Sequence, residues 1–197
     1  MSEIKLFFVR HGEAASAWQN HENPGLSKAG LLQAKNLIKH NNFLDLKDFT
    51  FMSSPKSRAI ETAQPLANKF NKEILIDDAF IEIPSHDIPL DKKKTWLEEI
   101  IKMDKDELPK NIKSWRENIF IKLKDIKNDS IIFTHFMVLN SLISELTSSK
   151  SIFCFYPDYT SIVEINMESG VIKSFSKEND KKTYINPVSY THLRAHE

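Results

Sequence analysis

Short apolar runs alternate with helix-period segments along most of this chain, and few folds accept that alternation. Residues 4–9, "IKLFFV", have strand length and strand composition. Next comes "LSKAGLLQAKNLIKHNN", with Ser27 as a helix N-cap and Leu31, Ala34, Leu37 and Ile38 expected on one buried face. "FTFMSS" reads as a second strand. "SPKSRAIETAQPLANKF" reads as a helix with Ser54 as cap, Pro55 at the first helical position and Pro65 placed to kink or restart it. "KEILID" is the third strand. Residues 86–128 read as mostly helical. Within them "DKKKTWLEEIIKM" gives one helix, and "PKNIKSWRENIFIKLKDI" a clearer one with Ile112, Trp115, Ile119, Leu123 and Ile126 in a stripe. "SIIFTH" is the fourth strand and "FMVLNSLISELTS" the helix after it. "YTSIVEIN" and "VIKSFS" flank a hairpin turn at "MESG".

The expected architecture is a three-layer α/β/α sandwich around a mostly parallel central sheet. No internal repeat and no Gly/Ser linker divides the chain, so residues 1–186 read as one domain. The final stretch, "PVSYTHLRAHE", has no period. Residues 187–197 are therefore expected to be a non-native or disordered tail, which removes His192 and His196 as ligand candidates.

Charge narrows the function classes. The 27 Lys and Arg residues match the 27 Asp and Glu residues. A balanced chain offers no broad basic field, so neither nucleic acid nor a membrane surface is an expected partner. No run approaches the ~18 apolar residues of a spanning helix, and the expected location is cytoplasmic. Cys154 is the one cysteine. It sits among aromatic residues and is expected to be a buried, inert thiol. Nothing in the sequence reports the oligomeric state.

In open α/β sheets, ligands bind beyond the carboxyl ends of the strands. That rule selects Arg10-His11-Gly12, the segment Ser54 to Arg58, and His135. Two histidines, two arginines and a helix N-terminus suit phosphoryl transfer. A phosphate needs cations and N–H donors around its oxygens, and arginine supplies a rigid two-pronged fork. Arg58 would lie in the first turn of its helix, a poor place for a cation unless an anion compensates. Gly12 would let the backbone approach a ligand closely. His11 is the expected nucleophile, because Arg10 and Arg58 disfavour its imidazolium. With arginines carrying the charge, no metal or cofactor is expected, and neither H-x-H nor H-E-x-x-H occurs. A leaving alkoxide needs a proton donor. Glu82, in "DDAFIEIP", is preferred, with Glu13 as the alternative. His86 and Phe136 are expected near the substrate. Lys92, Lys93 and Lys94 read as a solvated face.

"FFVRHGE", "NPGLSKAGLLQA", "SSPKSRAIETAQPLA" and "IIFTH", in that order, resemble the histidine phosphatase superfamily, also called the phosphoglycerate mutase-like family. The resemblance runs over most of residues 4–146. It implies a phosphohistidine on His11, with Arg10, Arg58 and His135 binding the phosphoryl group and an acid at Glu82. Two positions depart from the family pattern. Phe136 stands where the family usually has Gly, and "IPSHDIPLDKKKTW" replaces a Gly/Trp-rich segment after the acid. The expected activity is metal-independent hydrolysis of a phosphomonoester. A phosphosugar mutase and a non-catalytic phospho-ligand binding module are the alternatives. The expected partner is a phosphorylated small molecule or a phosphoprotein.

Overall fold

Alternating faces of the first strand set up two cores. The structure, a computed structural model, describes residues 3–17, 21–168 and 171–177. Strand β1 (Ile4–Arg10) sends Leu6 and Phe8 to one side of the sheet, and Phe7 and Val9 to the other. This explains why "IKLFFV" shows no clean polar alternation: both faces are covered.

The strands β2 (Thr50–Ser53), β3 (Ile74–Ile76), β4 (Ser130–Thr134), β5 (Ile162–Glu168) and β6 (Val171–Lys177) complete a six-stranded sheet in the order β3-β2-β4-β1-β5-β6. The run β3-β2-β4-β1 is parallel. β5 and β6 are added antiparallel at one edge. The sheet is thus mixed with a parallel majority, as the alternation predicts. β5 runs against β1, so its beginning reaches the edge where the parallel strands end.

Helices α1 (Lys28–Asn36) and α2 (Ser57–Phe70) cover one face. Ala59, Ala63, Leu66 and Ala67 of α2 meet Phe7, Val9, Phe51 and Phe133 of the sheet there. Helices α3 (Lys93–Ile100), α4 (Lys110–Asp125) and α5 (Phe136–Leu146) lie on the opposite side. The stripe Ile112, Trp115, Ile119, Leu123 and Ile126 is buried there, with residues of α5, as its helical spacing requires.

Several local expectations are corrected. Ser27 does cap α1, accepting the Gly30 N–H. Leu31 is nevertheless 52% exposed, whereas Ala34 and Leu37 are buried. The cause is Gly30. Its bare Cα packs on the backbone of Glu13, so α1 docks through its small residues and turns Leu31 outward. Helix α2 begins at Ser57 with Lys56 as N-cap, not at Ser54. Asn23 supplies the missing cap from outside, its Oδ1 accepting the Ser57 N–H at 2.9 Å. Pro65 neither stops nor restarts α2, which runs unbroken to Phe70. The proline sits at a half-buried position on the helix. Cys154 is half-buried rather than buried. Residues 169–170 of the expected hairpin turn and the tail 187–197 lie outside the described residues.

Candidate active site

The sheet register brings the selected residues to one edge. Arg10 ends β1 opposite Thr134, which ends β4. One residue further on, the His11 N–H donates to the Thr134 carbonyl at 2.9 Å, and the Ser54 N–H donates to the Phe133 carbonyl at 3.0 Å. These bonds continue the ladder past the strands and place His11, Ser54 and His135 side by side. His135 occupies the N-cap position of α5. The rings of His11 and His135 lie 5.2 Å apart.

Hydrogen-bond partners fix the state of His11. Its Nδ1 lies 2.7 Å from the Gly12 carbonyl, which can only accept. Its Nε2 lies 3.0 Å from Arg58 Nε, which can only donate. The proton therefore belongs on Nδ1, and Nε2 keeps a lone pair. Burial pushes the His11 pKa well below the usual imidazole range, and Arg58 and Arg10 push it further; the Gly12 carbonyl opposes them. His135 is likewise held well below that range, by burial first and then by Arg58, His11, Lys56 and Arg10. Its Nε2 pairs with Ser54 Oγ at 2.7 Å. Ser54, expected as a helix cap, thus serves as a ring partner.

The arginines are buried beside these rings. Arg10 is 2% exposed, and its Nη1 donates to the Pro157 carbonyl at 2.7 Å. Burial lowers its pKa to about 10, which leaves it charged at neutral pH. Arg58 is lowered by burial, an effect that Glu82 and Tyr159 oppose. Arg10 Nε, Arg58 Nη1 and His135 Nδ1 are buried without a hydrogen-bond partner among the described residues. The two guanidinium donors suit the oxygens of a tetrahedral anion, as does His135 Nδ1 in the tautomer whose Nε2 accepts the Ser54 hydroxyl.

Glu82 follows the short helical turn Asp78–Phe80 and is half-buried. Its Oε1 accepts the Ile83 N–H at 3.0 Å and the Met137 N–H at 3.1 Å. Burial raises its pKa, opposed by those two amides and by Arg58 and Arg10. Glu13 points elsewhere: its carboxylate accepts the Ser27 hydroxyl at 2.5 Å.

Other expected site residues have different surroundings. The Gly12 N–H donates to Thr62 Oγ1 at 3.0 Å, so it is already engaged. The space beside its Cα is filled by Gly30, whose carbonyl oxygen would sit 2.8 Å from an added Cβ. The missing side chain therefore serves helix docking. Phe136 stacks near Phe153 and Tyr156 and turns its ring toward Arg10. His86 is exposed and pairs with Asp87 at 3.0 Å, outside the cluster. Lys92 and Lys94 are exposed, whereas Lys93 is buried, which corrects the expected solvated face. Sequence reasoning missed Tyr159, whose ring lies 4.4 Å from the Arg10 guanidinium carbon and 6.3 Å from the His11 ring. The segment "PDYT" itself carries no signal of this; Tyr159 reaches the site because β5 runs antiparallel to β1 and begins there. Among the described residues, no group of three or more His, Cys, Asp or Glu side chains could hold a metal ion, and no helix is long and apolar enough to cross a membrane.

The sequence matches the family model of the histidine phosphatase superfamily, branch 1, over residues 6–180. The chain belongs to that superfamily. A curated relative, the 2,3-bisphosphoglycerate-dependent phosphoglycerate mutase of Thermoplasma acidophilum, is 35% identical over 80 residues. That match spans 38% of this chain and 39% of the relative, so less than half the length of either protein. Among solved histidine phosphatase-fold structures, phosphoserine phosphatase from Entamoeba histolytica is 20% identical. It covers 90% of this chain and 98% of its own, with a TM-score of 0.68. Phosphoglycerate mutase from Bacillus anthracis is 21% identical over 90% of this chain and 92% of its own, with a TM-score of 0.60. The mycobacterial glucosyl-3-phosphoglycerate phosphatase is 13% identical over 92% and 100%, with a TM-score of 0.67. These structures share the fold, on which the superfamily carries phosphatases and mutases alike.

Proposed function

We propose that this chain hydrolyses a phosphomonoester through a phosphohistidine on His11, with no metal. The supporting observation is the lone pair on His11 Nε2, held by the Gly12 carbonyl on one side and Arg58 Nε on the other. Attack by Nε2 on phosphorus forms the N–P bond as the P–O bond to the leaving group breaks. Arg10, Arg58 and His135 bind the phosphoryl oxygens, where Arg10 Nε, Arg58 Nη1 and His135 Nδ1 have no other partner among the described residues. Glu82 gives its proton to the leaving alkoxide. Two backbone amides hold Oε1, so the proton rides on Oε2. The same carboxylate then takes a proton from the water that cleaves the N–P bond.

Hydrolysis is favoured over mutase chemistry by the loop after Glu82. His86 and Asp87 have side chains 75% and 79% exposed. A mutase must keep its phosphorylated histidine away from water while the substrate reorients, and the segment that follows the acid here presents solvated side chains rather than a cover. The relatives and neighbours are named for small phosphorylated compounds, which supports a small phosphomonoester as substrate.

The test is phosphate release from an aryl phosphate in excess chelator. Wild type is expected to turn over and His11→Ala to be inactive. An alkaline quench, which preserves phosphohistidine, is expected to show one added PO3 group by intact mass in wild type alone. Activity in His11→Ala, or loss of wild-type activity with chelator, overturns the reading.

A further inference from the structure

A single turn of chain encloses Arg10 from several directions. The residue lies at the end of β1, and its own N–H donates to the Ser161 carbonyl at 3.0 Å. Its Nη1 donates to the Pro157 carbonyl. Its guanidinium carbon lies 4.4 Å from the Tyr159 ring centroid and 5.1 Å from that of Phe136. Three of these four contacts come from the segment 157–161, immediately before β5. The turn is closed on itself, because the Ser161 N–H and hydroxyl both donate to the Asp158 carbonyl, at 3.1 and 2.6 Å. Its approach is fixed as well. Asn140 of α5 is fully buried and accepts the N–H groups of Cys154 and Phe155 at 2.8 and 3.0 Å.

The backbone of this turn is strained. Thr160 has φ 58°, a conformation that a β-branched residue rarely adopts. Strain of this kind persists only where the surroundings over-determine it, and it clusters at functional sites. Here the left-handed residue stands between the Tyr159 ring and the Ser161 carbonyl, and both meet Arg10.

We propose that Tyr159 is a positioning residue for Arg10, its ring face holding the guanidinium with Nε aimed at the bound phosphoryl group. This rests on the phosphate-binding role of Arg10 proposed above. An arginine has many rotamers in solution. A guanidinium pinned by a carbonyl and two ring faces gives up that freedom before the ligand arrives. The ring quadrupole also compensates the charge in a site where water is scarce. Phe136, which stands where the family usually has Gly, supplies the second face. The lack of glycine there is therefore matched by a new packing partner for Arg10.

The test reads orthovanadate and inorganic phosphate affinity by calorimetry, alongside kcat and KM on an aryl phosphate. Tyr159→Leu is expected to weaken vanadate binding and kcat about tenfold, a size set by the desolvated cation–aromatic contact. KM should change little. Tyr159→Phe, which keeps the ring face, should recover most of the loss. In an Arg10→Lys background, Tyr159→Leu should add almost nothing. Thermal unfolding by circular dichroism checks that each variant folds. Additive losses in the double variant, or a Tyr159→Phe defect as large as that of Tyr159→Leu, overturn the proposal. The affinity readout does not depend on turnover. A wild type that binds vanadate but releases no phosphate would sink the hydrolase reading and leave the Tyr159 test intact.

Discussion

At the residue scale, two protons decide how the site responds to pH. In the proposed reaction His11 must be neutral to attack, and its pKa lies well below the ordinary imidazole value. As the proposed acid, Glu82 must be protonated to serve a poor leaving group, and its pKa is raised. The active form thus exists above the lowered histidine pKa and below the raised carboxyl pKa. The kcat/KM profile on an alkyl phosphate is expected to be a bell, its acid limb below the ordinary imidazole range and its alkaline limb above the ordinary carboxyl range. Glu82→Gln should remove its alkaline limb and cut alkyl ester turnover by about 10²–10⁴. It should cost an aryl ester little, because a phenolate needs no proton to leave. Equal losses on both esters would rule out Glu82 as the acid. Thr62 deserves the same scrutiny for a different reason. Its hydroxyl accepts the Gly12 N–H and donates to the Arg58 carbonyl at 2.6 Å, tying the loop of His11 to the helix of Arg58. Thr62→Val keeps the shape and orphans a buried N–H. A loss of about 1–3 kcal/mol in urea unfolding is expected.

At the element scale, the contact between α1 and the loop after β1 is made by two glycines. Gly30 packs against Glu13, and its carbonyl closes on Gly12. Gly30→Ala would drive a Cβ into the Glu13 carbonyl and force the helix off the loop. The expected cost is about 1–3 kcal/mol of stability, with a larger fractional loss of activity because the displaced loop carries His11. Denaturant midpoints and kcat measured on the same samples separate the two effects. The same contact shows what the sequence could and could not say. Strand positions and helix identities followed from local pattern: β1 was expected at 4–9 and ends at Arg10, and the α4 stripe is buried residue for residue. The rotation of α1 did not follow, because leucines at helical spacing look like a core face whether or not a glycine elsewhere dictates the docking. The start of α2 was also out of reach, since its cap comes from Asn23, far away in sequence. Tyr159 was illegible for a further reason: its place at the site depends on β5 being antiparallel, which is a property of the sheet and not of the segment.

At the scale of the whole molecule, the buried histidines make stability depend on pH. Both have folded-state pKa values below that of the unfolded chain. Below about 6.5 the unfolded chain takes up protons that the native site refuses, so their contribution is complete above that pH and declines as pH falls toward the folded values. Glu82 acts with the opposite sign. Its raised pKa lets the native state hold a proton the unfolded chain has lost, so its burial penalty fades as pH drops. Between pH 7 and 5.5, the melting temperature of wild type is expected to fall more steeply than that of a His11→Gln, His135→Gln double variant. Parallel slopes would mean that the rings titrate normally.

The bond between Arg58 and His11 carries one last consequence. The same lone pair that would attack phosphorus is occupied, in the resting protein, by Arg58 Nε–H. In the proposed reaction an arriving phosphate ester must take over that hydrogen bond with its own oxygen before the nitrogen is free. The guanidinium is thus a latch that an anion, which also pairs with its charge, lifts more readily than an uncharged electrophile does.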